Sequence, residues 1–228
     1  MPATRRVTSR TPRKPAIPAS LEPAVPVLHD LEDEVVCEKL EFGVLDLTDR
    51  DAESVEFAQC RFRGTDLSGT LLPHLRLTDC EIQTSNFANV RVDSGSMHRA
   101  VFAESRMTGF ALTNGKVGDV VFDQCRLDLS GWRFTGFDNV QFRDCKLTGA
   151  DFTNADLRGA QFVGCDLTGA QFHHATMAGA RFRRCDLLDI AGITYWRGAI
   201  IHPDDLPALS YSLAAGLGIA LSEDVAAD

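Results

Sequence analysis

The chain has 228 residues, of which 44% are hydrophobic and 24% charged, the balance of an ordinary soluble protein with material for a sizeable core. Its longest run of apolar or glycine residues, 214–221, spans eight positions, which excludes a membrane-spanning helix. The formal charge of −9 excludes a generic nucleic-acid binder, because phosphate neutralisation needs an excess of Lys and Arg.

The charge is unevenly spread. Residues 1–27 carry a net +4 and six of the nine prolines. A segment so poor in large apolar side chains cannot offset its chain entropy, so residues 1–30 are expected to form a disordered basic tail. Arg5-Arg6 is a twin-arginine pair, but no apolar stretch follows it, and Pro12, Pro15, Pro18, Pro23 and Pro26 interrupt the place where one would be. Residues 28–60 carry −9, residues 61–190 balance to zero, and residues 191–228 carry −4.

From Phe42 onward every fifth residue is large and apolar for thirty positions, ending at Leu187, with Ala52 the one lapse. The residue two places before each is mostly Ala, Cys, Ser, Thr, Val or Gly, and the residue between is mostly polar. Residues two apart share a face of an extended chain. The small and the large residue therefore point inward, the middle one points out, and the remaining two turn a corner where Gly costs least. A period of five fits neither a 3.6-residue helix nor a flat strand. Four such sides close a coil of twenty residues, and successive coils stack as parallel strands about 4.8 Å apart.

The cysteines obey the twenty-residue coil. Cys60 and Cys80 differ by one coil, as do Cys125, Cys145, Cys165 and Cys185 in succession, and all six take the small inward position. A line of thiols is a poor tetrahedral zinc site, so the cysteines are expected to act as buried apolar filler. Free thiols at this density point to the cytoplasm. Phe62, Phe102, Phe122, Phe142, Phe162 and Phe182 share one inner column and are the expected structural core.

The five-residue grammar stops near Ile190. Residues 192–222 are expected to form a C-terminal cap, and residues 223–228 a disordered tail. Leu206, Leu209, Leu213 and Leu217 follow at helical spacing, with Asp204 as N-cap, Pro207 in the first turn, and Gly216 and Gly218 to stop the helix.

This sequence resembles the pentapeptide-repeat proteins, which repeat Ala-(Asp/Asn)-Leu-x-x; the stretch LTGADFTNADLRGAQF at 147–162 shows that pattern at its cleanest. The likeness covers residues 35–190, and the solenoid is assigned to residues 31–191. It implies an all-β fold, a right-handed quadrilateral parallel β-helix of about 7–8 coils with a short capping α-helix. The C-terminal segment is similar to that of the quinolone-resistance group, the Qnr and MfpA proteins, and the unbroken register is nearest the loop-free MfpA-like branch. That resemblance implies a homodimer joined through Tyr195, Trp196, Leu206, Leu209, Leu213 and Leu217. It also implies an acidic rod that mimics B-DNA, binds DNA gyrase or topoisomerase IV, and protects against fluoroquinolones or similar poisons. The acid here gathers near the N-terminal end, so Asp46, Asp49, Asp51, Glu53, Glu56 and Asp66 are the expected partner-binding surface.

No P-loop, nucleophile elbow or HExxH motif occurs. Gly164 and Gly169 turn corners, and the outward carboxylates follow from the repeat and mark no glycosidase pair. His173 and His174 both point outward without a supporting ligand motif. No enzyme, cofactor, metal, membrane contact or direct nucleic-acid contact by the solenoid is expected. Outward Val101 and Val121 stack on one wall, with Leu129 and Phe134 at corners; a contiguous patch of these would mark a partner surface. The alternative to topoisomerase binding is a structural or scaffolding module with a different protein partner.

Overall fold

The structure, a computed structural model, describes residues 11–220. It is a parallel β-solenoid of about nine turns ending in one short helix. One face shows the stacking plainly: Leu40–Phe42, Arg61–Arg63, Arg76–Gln83, Ser96–Ala103, Lys116–Asp123, Gln141–Arg143, Gln161–Val163 and Arg181–Arg183 hydrogen-bond in that order. The register is the one the repeat dictates. Phe122 pairs with Phe142, Phe142 with Phe162 and Phe162 with Phe182, always twenty residues apart. Parallel bridges such as Asp46 to Asp66, Asp51 to Leu71 and Asp156 to Thr176 keep the same offset on the other faces. An offset of four units makes the coil four-sided.

The inward column stacks its rings in two runs, Phe42–Phe62 and Phe102–Phe182. Phe142 lies 4.8 Å from Phe122 and 4.9 Å from Phe162, and Phe162 lies 4.8 Å from Phe182, with planes within 8° of parallel. Phe62 stacks on Phe42 at 4.7 Å. Ile82 interrupts the column between Phe62 and Phe102. All seven cysteines are free and buried. Burial is the main reason that the Cys37 thiol is pushed up to about 11 and that of Cys80 further still. Such thiols carry almost no thiolate at neutral pH, in keeping with filler.

Three results differ from the sequence expectation. First, the solenoid has about nine turns rather than seven to eight, because each end adds a rung that has left the five-residue pattern. Glu22–Pro23 pairs with Leu40–Glu41, and Ile200–Ile201 pairs with Arg181–Phe182. Backbone pairing needs only an extended segment in the right place, not an inward side chain. Second, corners are not reserved for glycine. Asp49, Gln59, Leu129 and Phe134 all hold φ between 53° and 57°. Each corner N–H donates to a carbonyl of the next coil, as from Asp49 to Ser68 at 3.0 Å and from Gln59 to Thr78 at 2.9 Å, and these bonds offset the left-handed cost. Third, residues 11–30 are not a solvated tail. Pro12 is buried, Arg13 and Ala16 hydrogen-bond to Asp119 and Asp79, and Glu22–Pro23 joins the sheet, while Val27 and Leu28 stay exposed. Residues 1–10 and 221–228 lie outside the described residues, and with them the tail expected at 223–228.

The C-terminal cap begins with a 3-10 turn, Ile193–Tyr195, that lays Trp196 on Phe182 at 4.5 Å. Helix α1 follows as Leu206–Gly216. Asp204 does not cap it. A second 3-10 turn, Pro203–Asp205, intervenes, in which the His202 ring accepts the Asp204 N–H at 3.4 Å, and Asp205 holds the N-cap position of α1. Pro203 starts that tight turn without needing an N–H partner. Pro207 does fall in the first turn of α1, and Gly218 takes φ 72° just past its end.

Candidate functional site

The six acidic residues lie on the first coils but do not share one face. Asp46 and Asp66 are stacked rungs of one column. Asp49 is the corner beside them and Asp51 opens the next side, so these four are neighbours. Asp46, Asp49 and Asp51 are exposed and Asp66 half-buried. Glu53 and Glu56 are carried round to the following corner and side, where His74 stands 3.6 Å from Glu53 and Arg76 3.8 Å from Glu56. Five residues are one quarter of the coil, so an acidic run in sequence wraps around the prism instead of forming a stripe.

The column is held rigidly. Asp46 Oδ1 accepts the Thr48 hydroxyl at 2.7 Å and the Thr48 N–H at 3.0 Å. Asp66 Oδ1 accepts Ser68 Oγ at 2.6 Å and Ser68 N at 2.8 Å, and its Oδ2 accepts Asn86 Nδ2 at 3.0 Å. The Thr48 hydroxyl holds the Asp46 carboxyl below its ordinary range. At Asp66 burial works upward, but the Ser68 and Asn86 hydrogen bonds outweigh it and the net shift is downward. Among the described residues neither carboxylate makes an ion pair within 4.0 Å. The downward shifts keep both carboxylates charged at neutral pH, and the Arg50 charge adds to the effect at Asp46.

The same column changes sign higher up. Parallel bridges link Asp46, Asp66, Asn86, Arg106, Arg126, Lys146, Asp166 and Asp186 in order. Arg106, Arg126 and Lys146 are exposed. Block totals hide this pattern, because residues 61–190 sum to zero; reading every twentieth residue would have found it.

The dimer residues also separate. Trp196 and Leu209 are buried in the cap, and Tyr195 is half-buried with its ring 4.5 Å from His174. Leu206, Leu213 and Leu217 are exposed beside Tyr211 and Ile219. Helical spacing alone does not say which side of α1 meets the solenoid. Val101 and Val121 do pair across adjacent rungs, while Leu129 and Phe134 stand 70% and 58% exposed on other corners, so the four form no single patch. Among the described residues no group of three or more His, Cys, Asp and Glu side chains is placed to hold a metal ion, and no helix is long and apolar enough to cross a membrane.

One arrangement was missed in the sequence. Residues 11–18 run along the corner formed by Gln59, Asp79, Arg99, Asp119 and Asn139. Arg13 Nε donates to Asp119 Oδ2 at 2.8 Å and the Ala16 N–H donates to Asp79 Oδ1 at 2.9 Å. The available signal was Pro12, Pro15 and Pro18, one proline every third residue, the period of a polyproline II helix.

Residues 135–191 match the family described as "Pentapeptide repeat region". No curated protein matches the chain. Among solved structures, it is similar to HetL, a pentapeptide repeat protein involved in heterocyst differentiation regulation from the cyanobacterium Nostoc sp. strain PCC 7120. That likeness is 18% identical, covers 74% of this chain and 85% of HetL, and has a TM-score of 0.30. It is also similar to full-length QnrB1, a plasmid-mediated fluoroquinolone resistance protein, at 20% identity over 78% of this chain and 98% of QnrB1, with a TM-score of 0.30. Residues 135–191 are thus similar to a pentapeptide repeat region, and the same twenty-residue register runs through the coils from Phe42 to Leu187.

Proposed function

We propose that the protein is a non-enzymatic interaction module whose acidic first coils bind the basic DNA-contacting surface of a type II topoisomerase such as DNA gyrase. The observation that carries this reading is the Asp46–Asp66 column: two carboxylates one rung apart, each held by its own Ser or Thr, with no cation within 4.0 Å of either among the described residues. Side chains already held in place lose little freedom on binding, and their charge steers a basic partner. The purified protein is expected to inhibit gyrase supercoiling at low salt and to lose that effect as salt rises. Asp46→Asn with Asp66→Asn should weaken inhibition about tenfold, the scale of losing a pair of steering charges. Absence of inhibition at micromolar protein and low salt would reject the reading.

The basic step at Arg106, Arg126 and Lys146 favours a second reading, a scaffold whose partner carries the complementary alternation of charge. Reversing Arg106 and Arg126 to Glu discriminates the two. A change in captured proteins that Asp46→Asn and Asp66→Asn do not reproduce would favour the scaffold.

Dimerisation belongs to the same proposal, with a narrower set of residues. Leu206, Leu213 and Leu217 are the exposed side of α1, and Leu209 belongs to the cap itself. Leu213→Asp with Leu217→Asp is expected to leave the circular dichroism spectrum unchanged and halve the mass seen by light scattering. A dimer that survives both changes would place the contact elsewhere.

A further inference from the structure

The corner column Gln59, Asp79, Arg99, Asp119 and Asn139 recurs every twenty residues, so its side chains stand one coil apart, about 4.8 Å. Asp79 and Asp119 are two coils apart, about 9.6 Å. A polyproline II helix repeats every three residues at about 3.1 Å each, or about 9.3 Å per turn. Residues 13 and 16 are three apart. Both bond to this one corner, and the two repeats coincide to within about 0.3 Å.

The contacts follow this match. Asp119 accepts the Arg13 N–H at 3.1 Å through Oδ1 and Arg13 Nε at 2.8 Å through Oδ2. Asp79 Oδ1 accepts the Ala16 N–H at 2.9 Å. Gln59 Nε2 donates to the Ala16 carbonyl at 2.8 Å, and Asn139 Nδ2 donates to the Thr11 carbonyl at 3.3 Å. The receiving side chains are set from behind: Arg99 holds Asp79 through Nε at 2.7 Å and Nη2 at 2.6 Å, and Asn139 Nδ2 reaches Asp119 at 2.5 Å. Each aspartate is only 6% exposed. A crevice of about 340 Å³ separates Pro12, Lys14 and Pro15 from Val101 and Val121. None of residues 11–23 belongs to the hydrophobic core, so the solenoid's core does not depend on this segment.

We propose that this corner is a recognition channel for polyproline II peptides of the type Pro-Arg-x-Pro, and that residues 11–18 occupy it in cis as an intramolecular ligand. The channel reads the two amides that follow prolines, two carbonyls and one guanidinium. A partner segment with this chemistry binds by displacing the cis copy. The channel lies apart from the Asp46–Asp66 column, so the proposal stands or falls separately from topoisomerase binding.

The probe is a fluorescein-labelled synthetic peptide of residues 11–18, titrated by anisotropy into the full chain and into its Arg13→Glu variant. The tethered copy competes at an effective concentration in the millimolar range, so the unmodified chain should bind the peptide weakly and Arg13→Glu at least about tenfold more tightly. Adding Asp79→Asn and Asp119→Asn to Arg13→Glu should return binding to the level of a control peptide with Glu in place of its arginine. Should Arg13→Glu fail to fold by circular dichroism, Ala16→Pro, which removes only the amide donor to Asp79, takes its place. Equal binding by the full chain and its variant, no binding by either, or binding that survives the double Asn change would overturn the proposal. A doubled mass for Arg13→Glu without peptide capture would assign the channel to a second copy and overturn it as well.

Discussion

Replacing Phe142 by alanine is expected to cost about 3–5 kcal/mol of stability, the range for emptying a buried aromatic site. The ring is fully buried, stacked between Phe122 and Phe162, with edge contacts to Trp132 and Phe152 at 6.3 Å. The site cannot close over the void. Phe142 and both stacking partners are fixed by backbone pairing at Gln141–Arg143, so collapse would require breaking ladder bonds on two sides. A solenoid is stabilised through neighbouring coils, so the loss should weaken the rungs at 122, 142 and 162 together. Urea unfolding measures the total, and hydrogen exchange shows whether protection falls at those rungs. Phe134→Ala is the control: its ring is 58% exposed, and the change should move the midpoint by no more than about 0.5 kcal/mol. Equal effects at the two positions would contradict the ring-stack account.

Gly192→Ala is the second large effect, and it acts on the cap. Gly192 has φ 81°, and a Cβ there would stand 2.6 Å from His173 N and from Phe172 C, and 2.9 Å from Phe172 O. Those are backbone atoms, and Phe172 N is itself bonded to the Ala191 carbonyl at 2.9 Å, so nothing can step aside. Left-handed strain of about 1–2 kcal/mol adds to overpacking of about 1–3 kcal/mol. The least costly relief is to lift the turn that follows, which carries Trp196 off Phe182 and Phe172. If Ile200–Ile201 lifts with that turn, Arg181–Arg183 is left as an open edge able to pair with another chain. The protein has two tryptophans, and Trp132 is deep in the core, so a red shift in emission reports Trp196. The variant should show that shift, together with self-association. Unshifted emission and an unchanged unfolding midpoint would show that the turn absorbs the methyl group.

The two effects differ in how far sequence anticipated them. Phe142 is recognisable from its place in a repeat of five. Gly192 lies just where that repeat ends, and its need for glycine comes from His173 and Phe172 one coil earlier. The acidic residues show a similar divide. Their presence near the N-terminal end is plain in the charge count. Their separation into a group at Asp46, Asp49, Asp51 and Asp66, and a pair at Glu53 and Glu56 beside His74 and Arg76, comes from the turning of the coil.

What the sequence determined by itself is the solenoid: its period, its twenty-residue register and the inward or outward direction of nearly every side chain from Phe42 to Leu187. Those features are local, because a residue's place in its five-residue unit sets its direction whatever the rest of the chain does. Only the tertiary structure decided the extra rung at each end, the side of α1 left uncovered, and the docking of residues 11–18. These depend on segments that have left the repeat, and on contacts such as Arg13 with Asp119, 106 residues away. Such contacts arise from matched spacings on two separate parts of the chain, which no pattern within either part contains.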